Sequence, residues 1–153
     1  MSHISWNYLD KRKATADVLE SYADMEFIID HTDEEIQKAE TKMYGVGGQG
    51  MDGLPHGHDV KSFENRIISG IEEIDVLKER YRQAKEYMTW FEPAWENLTD
   101  DERYVLDAFY MSCGTQESGA IMVADHYNID RSSAFRRKNR AVDHLSLMLY
   151  GKS

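Results

Sequence analysis

Two long runs of this sequence place apolar residues at steps that alternate between four and three. The first goes from Val18 through Tyr22, Met25, Ile29, Thr32, Ile36, Ala39 and Met43, and only Thr32 is not apolar. The second goes from Ile67 through Gly70, Ile74, Leu77, Tyr81, Ala84, Met88, Phe91 and Trp95, with Gly70 its one weak position. A 3.5-residue repeat held over more than three heptads predicts a helix with a narrow apolar seam. At 1.5 Å per residue the two seams are about 38 Å and about 42 Å long. Matched seams joined by one loop predict an antiparallel helical hairpin. Each seam is too narrow to be a globular core alone, so the hairpin is expected to find a partner, either a second copy or the rest of the chain.

The segment between the seams, GVGGQGMDGLPHGH at 45–58, holds six of the ten glycines and one of the two prolines. That composition predicts a loop, and a second helix is expected from about Asp59. Gly45–Gly50 spells GxGxxG, but a dinucleotide site needs a strand before it and a helix at its last glycines, so no cofactor is expected. His56 and His58, with Asp52 and Asp59 nearby, make a poor preset metal site. Near the end of the second seam, Pro93 is expected to kink or stop the helix. The predicted organisation is therefore a helical hairpin over 1–97, with its Gly-rich loop at 44–59, and a second domain over 98–153. Trp90, Phe91 and Trp95 around Pro93 are expected to dock one against the other.

Composition narrows the class. Cys113 is the only cysteine, which excludes an internal disulfide and a cysteine-rich zinc module. No apolar run approaches the ~18 residues of a membrane span, and the first residues lack the apolar stretch of a signal peptide, so a cytoplasmic protein is expected. No nucleophile motif is present, and the adjacent carboxylates Glu72–Glu73 and Asp100–Asp101 splay across a helix surface; an enzyme is the least expected class. The formal net charge is −10. Its distribution is uneven: −9 over 1–97, −6 over 98–130 and +5 over 131–153. One short positive segment on an acidic chain is a local footprint for a polyanion.

That segment closes a three-helix pattern. Thr99 and Glu102 form a capping box at the start of the first helix, which carries Val105, Leu106, Phe109 and Tyr110 and ends at Ser112–Gly114. A short second helix is expected from about Gln116 to Tyr127, with Ile121, Val123, Ala124 and Tyr127 inward. Asn128 tolerates the left-handed backbone of a tight turn, Ile129 plugs the angle, and Asp130 can cap a third helix that runs from Arg131 to about Leu149. A small residue, an apolar turn residue and then a basic helix is the spacing of a helix-turn-helix. Ala134, Ala141, Leu145, Met148 and Leu149 suit the buried face of the third helix. Residues near the start of such a helix reach base edges, which assigns Arg131, Ser132, Ser133 and Arg136 to readout; Arg137, Lys138 and Arg140 fall to phosphates.

LTDDERYVLDAFYM followed by VADHYNIDRSSAFRRKNRAVDHL resembles the region-four DNA-binding module of bacterial sigma factors. Val123-Ala124-Asp125 stands at its Ile-Ala-Glu step and Asn128-Ile129-Asp130 at its Gly-Ile-Ser turn. Gly119-Ala120 replaces its usual acidic pair and is expected to weaken the second helix. Over roughly residues 40–151 the chain is similar to phage transcriptional regulators of the ArpU and RinA type, which place a helical half before a sigma-like helix-turn-helix. The resemblance implies sequence-specific binding of double-stranded DNA in a bacterial host, and it adds host RNA polymerase as a candidate partner. A homo-oligomer is expected from the seams. Two other readings remain open: a DNA-packaging protein like a small terminase subunit, and a helical interaction protein that does not bind DNA.

Overall fold

The computed structural model describes residues 10–45 and 57–152. Five α-helices and no strand are found among them: α1 (Lys11–Tyr44), α2 (Gly57–Glu96), α3 (Asp100–Leu106), α4 (Gln116–Tyr127) and α5 (Arg131–Tyr150). The chain is all-α, and α3 continues as a π-helical turn over Asp107–Ser112. Residues 46–56, and with them most of the expected loop, the GxGxxG match and His56, lie outside the described residues. Gly57 and His58 are already helical, two residues ahead of the expected start.

Both seams are buried or half-buried at every position, while most positions between them face solvent. The two weak positions have local explanations. Thr32 donates its hydroxyl to the carbonyl of Ile28 at 2.5 Å, so it enters the seam with its polar atom satisfied. Gly70 lies where a side chain has no room, since a methyl group there would come within 2.6 Å of Met43. Pro93 does not end α2, which runs on to Glu96. The ring is exposed in the last helical turns, so it removes one hydrogen bond without cutting into packing. The end is set instead by Arg103, whose Nη1 donates to the carbonyls of Glu96 (2.9 Å) and Leu98 (2.6 Å).

The chain divides into two compact units, one formed by 25–86 and the other by residues up to Asp24 together with those from Tyr87 onward. That division falls elsewhere than the expected boundary near 97, because the start of α1 and the end of α2 pack with the C-terminal helices. In the 25–86 unit, Ala39, Met43 and Ile74 form a small core flanked by Ile36, Ile67 and Leu77. Arg66 donates to the last-turn carbonyl of Met43 at 3.1 Å.

The other unit has two cores. One joins Leu19 of α1, Phe91 and Ala94 of α2, Leu98, Leu106 of α3, and Ala141, Val142, Leu145 and Leu149 of α5. Phe91 is fully buried and stacks with Tyr87 and Trp95 and against the tilted ring of Tyr22. The second core joins Val105, Ala108, Phe109, Ala120, Val123 and Ala134. Here α4 forms with Gly119 and Ala120 both buried, and the low helix propensity of Gly119 is offset by the close approach it allows. The backbone of α4 presses on the π-helical turn, whose freed geometry is held by Gln116 donating to the carbonyl of Phe109 at 2.9 Å. Ile121, expected inward, is 62% exposed. The inward stripe of α4 is Gly119, Ala120 and Val123, and Ile121 lies on its other side.

A methyl group at Gly119 would lie 2.7 Å from both the carbonyl oxygen of Ala108 and Cα of Phe109, which are backbone atoms that cannot rotate away. Gly119→Ala should therefore destabilise by about 1–3 kcal/mol through overpacking, against a helix-propensity gain of about 1. Gly114→Ala, with nothing within 4 Å of its added methyl, should be neutral or slightly stabilising. Urea denaturation of both variants checks the contrast.

Candidate nucleic-acid interface

The basic segment folds as α5, and the way it starts explains its placement. Asn128 adopts φ 53° and ψ 53°, the left-handed conformation that ends α4. Ile129 packs against the second core beside Ala124 and Tyr127. Asp130 then caps α5 by accepting from the backbone N–H of Ser133 at 2.6 Å, and that bond holds its carboxyl below the ordinary range. Ala134, Ala141, Val142, Leu145 and Leu149 are buried, which turns a defined face of the helix outward.

The predicted contact residues separate into groups. Ser132, Arg136 and Arg140 are exposed and lie on one stripe at i, i+4 and i+8. Arg136 and Arg140 make no hydrogen bond or ion pair among the described residues. Ser133 is half-buried, and its N–H is used by the cap. Asn139, which sequence reasoning passed over, is half-buried at the edge of the stripe. An Asn at that position has the right chemistry for an adenine edge.

Arg131 is placed differently. It lies about 140° around the helix from Arg136 at 3.6 residues per turn. Its guanidinium pairs with both oxygens of Glu117 on α4 and covers the ring of Phe135 at 4.7 Å. The pair holds Glu117 below its usual range and Arg131 above its own. Arg137 stacks over Tyr127 at 4.2 Å, and Tyr127 donates its hydroxyl to Asp101 at 2.8 Å. Burial, with that hydrogen bond to Asp101, pushes the Tyr127 hydroxyl up to about 12. Lys138 turns away from the stripe. Its Nζ lies over the rings of Phe109, Tyr110 and Phe135 and donates to Gln116 at 3.3 Å, and burial lowers its pKa. A phosphate reaching Lys138 would have to draw it out of this setting.

Beside the stripe runs a groove of about 270 Å³ lined by Asp101, Glu102, Val105, Arg137, Arg140 and Ala141. Glu102 ties its walls together. One carboxylate oxygen accepts from the N–H of Thr99 at 3.0 Å, completing the expected capping box, and the other lies 2.7 Å from Nδ1 of His144 on α5. No group of three His, Cys, Asp or Glu among the described residues could hold a metal. No helix among them is long and apolar enough to cross a membrane.

Partial burial pushes the Glu102 carboxyl up, but the bonds from Thr99 and His144 outweigh it and leave it lowered. The stability this carboxylate contributes is therefore fully present above its ordinary value of 4.5 and is lost as pH falls below it. Glu102→Gln keeps an acceptor for the cap but removes the charge facing His144. Between pH 5 and pH 3, the urea midpoint of the wild type should fall further than that of the variant; parallel curves would show that Glu102 adds nothing to the acid limb. Compared with known proteins, the chain matches no family model, no curated protein and no solved structure.

Proposed function

We propose that this chain is a sequence-specific duplex-DNA-binding protein, a transcriptional regulator of phage or prophage origin, in which α4, the turn at Asn128 and α5 act as a helix-turn-helix. The observation that carries this reading is the exposed stripe of α5. Arg136 and Arg140 make no hydrogen bond or close ion pair among the described residues, although Arg136 acts at longer range on the Asp130 cap, and they stand on a helix fixed by a fully buried opposite face. Arginine is the side chain best suited to guanine edges and to phosphates, and a rigid helix is what the major groove admits. Arg131 reads a base in this scheme only by exchanging Glu117 for it, which makes Arg136 the leading readout residue.

In the same proposal α1 and α2 form an antiparallel hairpin. Within the 25–86 unit, Gly45 lies against Arg66 and Met43 against Gly70, so contacts advance along one helix as they retreat along the other. The hairpin would serve self-association. Val60, Phe63, Ile68 and Ile71 leave α2 with exposed apolar surface that a second copy would cover. A contact with host RNA polymerase rests on the resemblance to sigma region four.

Arg136→Ala should cost on the order of 1–3 kcal/mol on the best site and flatten the preference at one or two positions. Arg140→Ala should weaken all sequences alike and reduce the salt slope by roughly one phosphate contact. Both variants should keep the wild-type circular dichroism, since both side chains are exposed. Titrations on selected and scrambled duplexes at several salt concentrations check this. A wild type that binds no duplex even at low salt would end the DNA reading, whereas a large ring by light scattering would favour a packaging role.

A further inference from the structure

The outward stripe of α5 continues past Arg140 to Asp143, the only acidic residue in 131–153. It lies seven residues from Arg136, on the same side of the helix and about 10 Å along it. The major groove is about 12 Å wide. A helix that reads a base edge at Arg136 thus carries Asp143 toward a strand bounding the groove. A bare carboxylate there would meet phosphates of like charge.

It is not bare. Arg12, in the first turn of α1, grips it with two bonds, Nε to Oδ1 at 2.9 Å and Nη2 to Oδ2 at 2.7 Å. The pair remains at the surface, with the two side chains 56% and 52% exposed. A guanidinium has five N–H donors, so this clamp leaves the outer ones, including both on Nη1, unused by Asp143. Lys11 lies alongside and donates to the carbonyl of Gly151 at 3.3 Å. Lys11, Arg12 and Lys152 line a groove of about 440 Å³ with Asp143, Ser146, Leu147 and Gly151. Three cations line the groove with one carboxylate that already has its partner, and Asp10, which accepts from the N–H of Lys13 at the start of α1, is the second carboxylate that acts on Arg12.

We propose that this groove binds the DNA backbone, with Arg12 as its principal phosphate contact, oriented by Asp143 and cancelling the charge of Asp143 on the DNA-facing side of α5. The inference rests on the DNA reading and extends it to the N-terminal turn of α1, which lies far from the basic segment in sequence. Asp143 acts as a positioning residue: it fixes the plane of the guanidinium and touches no phosphate itself. Lys11 and Lys152 add positive charge on either side.

A surface staple without any role toward DNA would give a different pattern of variants, so the test is a cycle of Arg12→Ala, Asp143→Ala and the double variant. Each is titrated with the preferred and a scrambled duplex between 50 and 200 mM salt, and each is checked for thermal stability. Arg12→Ala should weaken binding to both duplexes, and its deficit should shrink by roughly three- to fourfold over that salt range, as expected for one lost phosphate contact. Asp143→Ala removes both the grip that orients Arg12 and one negative charge, so it should lose less affinity than Arg12→Ala at every salt concentration, and the double variant should recover part of what Arg12→Ala loses. Arg12→Lys keeps the charge but not the two-pronged grip, and should fall between wild type and Arg12→Ala. If the wild type binds DNA but Arg12→Ala matches it at every salt concentration, the inference fails and the DNA reading stands. Equal losses in Arg12→Ala, Asp143→Ala and the double variant, following their thermal stability, would reduce the pair to a staple. A wild type that binds neither duplex removes the reading beneath.

Discussion

Everything the C-terminal helices present to solvent depends on one packed layer, in which Phe91 and Leu19 meet the inward face of α5. Ala141, Val142, Leu145 and Leu149 are each buried there, and Leu106 closes the layer from α3. Full burial of a side chain of this size is worth roughly 1.5–3 kcal/mol, so the layer strongly fixes the rotation of α5 about its own axis. Once that rotation is set, the outward direction of Arg136 and Arg140 follows from the helical period. The short C-terminal segment does not build this layer alone. Leu19 and Phe91 come from the long helices, and Tyr87 adds a hydroxyl bond to the carbonyl of Val18 at 2.6 Å. The ends of the long helices are therefore structural parts of the unit that carries the candidate interface.

Local rules were readable wherever the determinant lay within a few residues. The capping box at Thr99 and Glu102, the left-handed Asn128 and the Asp130 cap each need only a neighbour three or four positions away, and all three stand as expected. The two seams were readable because a period of 3.5 is a property of the chain itself. What escaped was decided by partners distant in sequence. Ile121 looks like core by hydrophobicity, yet α4 needs its small residues inward because the π-helical turn comes so close. Pro93 looks like a terminator, yet the helix end is fixed by Arg103 from the following helix.

The candidate site shows the same division. That α5 would be basic, and would bury Ala134 and Leu145, was written in its own pattern. Which of its cations would remain available was not. Arg131 meets Glu117 across a turn, Lys138 settles over Phe109 and Tyr110, and Arg12 reaches Asp143 from the other end of the chain. Each pairing joins residues that no periodicity connects. The stripe left open is consequently narrower than the charge count of 131–153 suggests, and the cation at its far end comes from α1.

The acidic excess of 98–130 also takes on a different meaning once the helices are placed. Asp100, Asp101 and Glu102 occupy the first turn of α3, Glu117 that of α4, and Asp130 the cap of α5. Carboxylates at these positions face the positive ends of helix dipoles. Several are held further: Asp100 by Arg103, Asp101 by Tyr127, Glu102 by His144 and Glu117 by Arg131. The negative charge of this segment is thus largely what starts and orients the three C-terminal helices. What remains of its repulsion is screened beyond a Debye length, about 10 Å at 0.1 M salt. Under the proposed DNA-binding role, a chain arranged this way would favour close, well-placed contacts along α5 over loose attraction.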